Sequence, residues 1–150
     1  MTRNFIDTNI LVYANDQNAR KKQNRAIELV RACMKLQTGV LSIQVMQEYA
    51  NIASKKLGQD AAVILRQLKL LEVFPIVCPS PKMVRRSVEL QFSYRISFWD
   101  AGIIAAAEEA DCDFLLSEDL NPGQYYAGLE VINPFDPKSR ANEVIGIELS

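Results

Sequence analysis

At 150 residues, with 49% hydrophobic and 23% charged side chains, the chain has the make-up of one ordinary globular domain, long enough to bury a core. It contains no histidine, which excludes Ser-His-Asp and Cys-His catalysis and histidine-bound zinc. The net charge of −1 conceals a split, since residues 1–95 carry 15 Lys/Arg against 7 Asp/Glu, whereas residues 96–150 carry 2 against 11. That division suits a protein that attracts phosphates with one part and holds cations with another, although solvated helix faces would also produce it.

No apolar run approaches the ~18 residues of a membrane-spanning helix, and the apolar N-terminal stretch is broken by Asp7 with no small-residue cleavage site after it. Cys33, Cys78 and Cys112 are odd in number and not at metal-ligand spacing, so reduced thiols and a cytoplasmic location are expected.

Along the chain, Asn4–Asp7 reads as a short buried strand, followed by a helix over Thr8–Ala14. Residues 18–37 place Ala26, Ile27, Val30, Cys33 and Met34 at helical spacing with basic residues opposite. Gly39 ends that helix and Val40–Ile43 makes a second strand. Ser42 caps a helix over Gln44–Lys56, and another helix spans Asp60–Leu71. Val73–Val77 is a third strand, and Ser80 with Pro81 opens a helix to about Phe92. Ser97 with Asp100 forms a capping box for a helix to about Ala110. Asp113–Leu116 and Leu129–Ile132 are the fourth and fifth strands. Alternation of strands and helices predicts an α/β fold with a mainly parallel, helix-covered sheet. After Pro134, a tail over 135–150 has no settled structure, Val144–Ile147 reading as an edge strand or a mobile end.

Ligands of open parallel sheets bind outside the carboxyl ends of the strands, and four acids fall where that rule can gather them. Asp7 ends the first strand, Glu48 lies early in the helix after the second, Asp100 is in the first turn of its helix, and Asp119 follows the fourth strand. Each also has an ordinary reading: a helix cap for Asp7, a solvated helix residue for Glu48, half of a capping box for Asp100, a turn acid for Asp119. Together they are costly, because two unit charges about 4 Å apart repel by roughly 4 kcal/mol at an effective dielectric of about 20. A hard divalent cation such as Mg²⁺ or Mn²⁺ would offset that repulsion, and oxygen ligands suit it better than zinc. Such a site can bind a phosphodiester and activate a water without histidine.

The segments FIDTNILVYA, QEYAN and YRISFWDAGIIAAAEEADCDFLLSEDL, in that order, resemble the motifs of PIN-domain nucleases, most of all the virulence-associated protein C (VapC-like) toxins of type II toxin–antitoxin systems. The resemblance runs from Asn4 to about Pro134 and implies a PIN-like α/β/α sandwich of about five strands as a nuclease domain over 1–134. It implies a Mg²⁺- or Mn²⁺-dependent endoribonuclease acting on RNA. Asp7, Glu48, Asp100 and Asp119 match the family's acidic quartet, with Asp7 and Asp100 placed nearest the principal metal. Ser117 and Asn9 match its supporting polar positions. A small antitoxin reaching the acids and a homodimer follow from the same likeness.

For RNA contact, Arg20, Lys21, Lys22 and Arg25 are the densest basic group. Tyr94, Phe98 and Trp99 could stack on bases, although core packing or a dimer contact is the expected place of Trp99. Glu118, on its turn, is expected to point outward. Two other readings compete. A catalytically silent PIN-like module would bind RNA or protein without metal. A phosphoryl-transfer domain would use Asp7, but the D-T-N stretch lacks the second acid of a D-x-D motif.

Overall fold

Asn4–Ile6 (β1) is buried at all three positions and Gly39–Ser42 (β2) at all four. Successive strand side chains point to opposite faces, so such strands require cover on both sides. The computed structural model, which describes residues 2–121 and 123–147, supplies that cover with helices. Thr8–Ala14 (α1) and Arg20–Leu36 (α2) connect β1 to β2. Ile43–Lys55 (α3) and Ala61–Leu71 (α4) lead to Ile76–Val77 (β3), and Pro81–Tyr94 (α5) and Phe98–Glu109 (α6) to Phe114–Leu116 (β4). Tyr125–Tyr126 (β5), Leu129–Ile132 (β6) and Ala141–Ile145 (α7) complete the order.

The strands form one six-stranded sheet in the order β3-β2-β1-β4-β6-β5, parallel except for the β5–β6 pair. The fold is therefore α/β, as the alternation predicts. The core runs through Phe5, Ile6, Leu41, Leu115, Leu116 and Val131 in the strands, and Ile10, Leu29, Tyr49, Leu90 and Ile104 in the helices. Caps at Asp7, Ser42, Asp60, Ser80 and Ser97 each accept a hydrogen bond from a backbone N–H of the helix they open. Among the described residues no helix is long and apolar enough to cross a membrane.

Two elements depart from the sequence reading. The short β5 pairs with β6 through a two-residue turn, Ala127–Gly128, in which both residues have positive φ, 52° and 89°. That is the backbone of a type I′ hairpin, usually signalled by Asn-Gly or Asp-Gly, and here the Tyr94 hydroxyl helps by accepting from Ala127 N at 2.8 Å. In the tail, Ala141–Ile145 is a helix and not an edge strand or a loose end. Ala141, Val144 and Ile145 are buried at i, i+3 and i+4 spacing, and Gly146 at φ 89° stops the helix. The last three tail positions, 148–150, lie outside the described residues.

Candidate active site

β1 sits between β2 and β4, so the chain winds away from it in both directions. The crevice at such a switch point opens at the strands' carboxyl ends, where Asp7 leaves β1 and Ser117–Asp119 leave β4. The Asp7 N–H donates to Leu116 O at 3.1 Å, tying the two exits together. Both sequence readings of Asp7 hold at once. Its Oδ1 accepts from Thr8 N at 2.7 Å as a helix cap, while Oδ2 accepts from Ser117 Oγ at 2.8 Å and Asn9 Nδ2 at 3.4 Å.

Glu48 reaches the same crevice from α3. Its Oε2 accepts from the Thr8 hydroxyl at 2.6 Å and its Oε1 from Gln44 Nε2 at 2.8 Å. Gln44 Nε2 also donates to Trp99 O at 2.9 Å, which links α3 to the start of α6. That approach needs Gly102, where an added Cβ would stand 2.6 Å from Gln44 Oε1. Asp119 is exposed; its Oδ2 accepts from Asn9 Nδ2 at 3.1 Å and its N–H donates to Ser117 Oγ at 3.2 Å. Asp100 enters from the first turn of α6, its N–H donating to Ser97 Oγ at 3.0 Å. All four acids border one cleft of about 340 Å³, together with Thr8, Asn9 and Lys56.

Burial pushes the Asp7 carboxyl from its ordinary 3.8 up to about 6, against the hydrogen bonds from Ser117 and Thr8, and the charges of Glu48 and Asp119 add to the rise. None of the four acids lies within ion-pair distance of a Lys or Arg among the described residues. Four carboxylates and no nitrogen or sulfur ligand make a donor set that fits a hard divalent cation in kind. Among the described residues no three such side chains stand close enough to hold an ion as they are placed. Hydroxyl and amide donors occupy three of the four acids instead: Thr8 and Gln44 bond Glu48, Ser117 bonds Asp7, and Asn9 bridges Asp7 and Asp119.

Of the other expected residues, Asn9 and Ser117 are at the centre of the network, Asn9 also accepting from Glu118 N at 3.2 Å. Arg20, Lys21, Lys22 and Arg25 do not border the cleft. Arg20 and Lys21 face solvent, whereas Lys22 bonds Glu118 and Arg25 bonds Glu28 and Pro134 O. Of the two places expected for Trp99, the core is overturned, since the residue is 67% exposed. Glu118 turns away from the cleft as expected, yet it is not a free surface acid, being held at 2.6 Å by Lys22 and 2.7 Å by Tyr13. Thr8 and Gln44 were missed as partners of Glu48. Gln44 could have been found, because it precedes Glu48 by one helical turn.

No curated protein sequence matches the chain significantly. Among solved structures, a chain of a toxin–antitoxin complex from Klebsiella pneumoniae is similar at 22% identity and TM-score 0.62, covering 87% of this chain and 97% of that one. VapBC2 from Rickettsia felis, bound to a DNA fragment from its promoter, gives 20% identity and TM-score 0.64 with the same coverage, 87% and 97%. VapC20 from Mycobacterium tuberculosis, described as a sarcin-ricin loop cleaving toxin, gives 17% and 0.59 over 77% of this chain and 89% of that one. At these identities the likeness is one of fold. The sequence itself matches the family model described as PIN domain over residues 5–127, most of the chain, and the protein therefore belongs to the PIN domain family.

Proposed function

We propose that this chain is a divalent-metal-dependent endoribonuclease that cuts RNA phosphodiester bonds at the Asp7–Glu48–Asp100–Asp119 cleft, and that it is the toxin of a type II toxin–antitoxin pair. The observation that carries the reading is the set of four carboxylates at the sheet's switch point, to which no cationic side chain among the described residues is paired. Membership of the PIN family and the toxin–antitoxin descriptions of the structural neighbours support it.

Asp7, Asp100, Glu48 and Asp119 would hold Mg²⁺ or Mn²⁺. When bound, the ion supplies charge for the phosphodiester and a water of lowered pKa. The rest is done by the chain. Ser117 Oγ and Thr8 N fix both oxygens of Asp7, Thr8 and Gln44 orient Glu48, and Asn9 bridges Asp7 and Asp119. The solvent-facing Arg20 and Lys21 supply phosphate contacts away from the cleft. Exposed Trp99, at the rim beside Gln44, offers a ring for a base to stack on. An antitoxin segment would meet the unpaired acids with a basic side chain. A second copy would use the apolar stripe of Val84, Val88 and Phe92, exposed one turn apart on α5. The free thiols and an RNA substrate suit the cytoplasm.

The test is cleavage of a fluorescent single-stranded RNA by purified protein with Mn²⁺, Mg²⁺ or chelator. Cleavage with metal alone, lost in Asp100→Asn with an unchanged melting curve, is the expected result; equal cleavage by Asp100→Asn would remove the site assignment. A second reading, a binding module without catalysis, draws on Glu48, whose two oxygens are both already occupied by donors. Absence of Mn²⁺ binding at millimolar concentration would favour it.

A further inference from the structure

The chain beyond β6 folds back against α2, outside the stretch that matches the family. Arg25 Nε donates to Pro134 O at 3.0 Å, and the Phe135 ring meets Tyr13 edge-on with centroids 5.0 Å apart. Lys22 Nζ lies 4.7 Å from the Tyr13 ring centre and 5.5 Å from that of Phe135. From there it bonds Glu118 Oε2 at 2.6 Å, while the Tyr13 hydroxyl donates to Glu118 Oε1 at 2.7 Å. Glu118 is thus held at both carboxylate oxygens from outside the cleft. Its backbone N–H donates to Asn9 Oδ1 at 3.2 Å inside it, and Asn9 Nδ2 in turn reaches Asp119 Oδ2 at 3.1 Å.

We infer that Lys22, Tyr13 and Phe135 are positioning residues that clamp the Glu118 side chain and thereby fix the turn carrying Asp119, so that the C-terminal segment helps set the geometry of the acidic cleft. The inference rests on the metal-site reading above. An ion pair on an open surface would carry little of this weight, since such pairs contribute roughly 0–1 kcal/mol. Here Lys22, its side chain 42% exposed, also lies within reach of two aromatic rings, a third bond ties its Nζ to the Tyr13 hydroxyl at 3.3 Å, and the Glu118 side chain is 24% exposed. The charged pair also explains why Glu118, although adjacent to Asp119, stays out of the cleft.

The experiment is calorimetric titration of the full chain with Mn²⁺. The double variant Lys22→Met/Glu118→Gln keeps the net charge, so a change in affinity reports position and not long-range attraction. The double variant is expected to bind Mn²⁺ about tenfold more weakly, as for lost supports of metal ligands, while Lys22→Arg stays within about twofold of wild type. Tyr13→Phe and Phe135→Leu, neither of which changes charge, give the same reading by a smaller loss if the double variant does not fold. Wild-type affinity in the double variant, or in both Tyr13→Phe and Phe135→Leu, would overturn the clamp. A loss in Lys22→Arg as large as in the double variant would overturn it too, because the ion pair is retained. No Mn²⁺ binding by the wild type would remove the metal site itself, and the clamp with it.

Discussion

Along α5 and the C-terminal half of α6, Glu89, Glu108 and Glu109 each have a cation. Arg86 holds Glu108 through two hydrogen bonds of 2.8 and 3.0 Å and lies 3.3 Å from Glu89, and Lys82 is 3.7 Å from Glu109. At the carboxyl ends of the strands, Asp7, Glu48 and Asp119 have hydroxyls, amides and backbone N–H groups for company instead, and Asp100 borders the same cleft. The first arrangement is ordinary surface neutralisation, worth little to stability. The second leaves the acids of the cleft without an ion-pair partner, and Asp7 has a raised pKa there, chiefly through burial, with the charges of Glu48 and Asp119 adding to it. Under the proposed function, these unpaired acids are the place for a cation from outside the chain.

The contrast breaks most visibly at Asp7. Asp7→Asn should lower RNA cleavage by at least about 10³-fold, the scale seen when a group central to transition-state stabilisation is removed. The same substitution should raise stability. Because the folded-state pKa is raised to about 6 from 3.8, the native state binds the proton more tightly than the unfolded one. Stability from this group is therefore present below about pH 4 and lost as pH rises to about 6, a loss of about 3 kcal/mol for a shift of about two units. Denaturant unfolding of the metal-free protein should show this fall, and Asp7→Asn should lack it and be the more stable variant at pH 8.

Gly102→Ala sharpens the comparison by separating activity from stability. Alanine favours the helix interior by about 1 kcal/mol, so the melting temperature should hold or rise. The new Cβ must displace Gln44, whose amide supports Glu48, and cleavage should fall about tenfold, as when a ligand loses its outer partner. The smallest effect is expected on the neutralised side. Arg86→Met should cost less than about 1 kcal/mol in unfolding measurements and leave the cleavage rate unchanged.

These residues also mark what could be read from the chain. β1 and β4 were legible because their short apolar runs end in acids and turn residues, and α6 because Ser97 and Asp100 announce its start. The gathering of the acids followed from the rule for parallel sheets, without knowledge of any contact. The bonds that set their geometry were not legible. Thr8 meets Glu48 across 40 positions and Lys22 meets Glu118 across 96, separations at which no periodicity connects residues. Glu118 on its own reads as a solvated turn acid, and only the fold brings Lys22, Tyr13 and Phe135 over it. β5 escaped notice because Ala127 takes a positive φ that Asn or Asp adopts more readily, and α7 because five residues are too few for a helical period to stand out.

The central claim is that the unpaired carboxylates at the sheet's switch point hold a divalent cation. Calorimetric titration of the metal-free protein with Mn²⁺, repeated at pH 5.5 and pH 7.5 in buffers of different ionisation heat, tests it most directly. The wild type should bind saturably, with protons released at pH 5.5 as Asp7 gives up its own, fewer at pH 7.5, and none of this in Asp7→Asn. No binding by the wild type at millimolar Mn²⁺, or equal binding by Asp7→Asn, would contradict it.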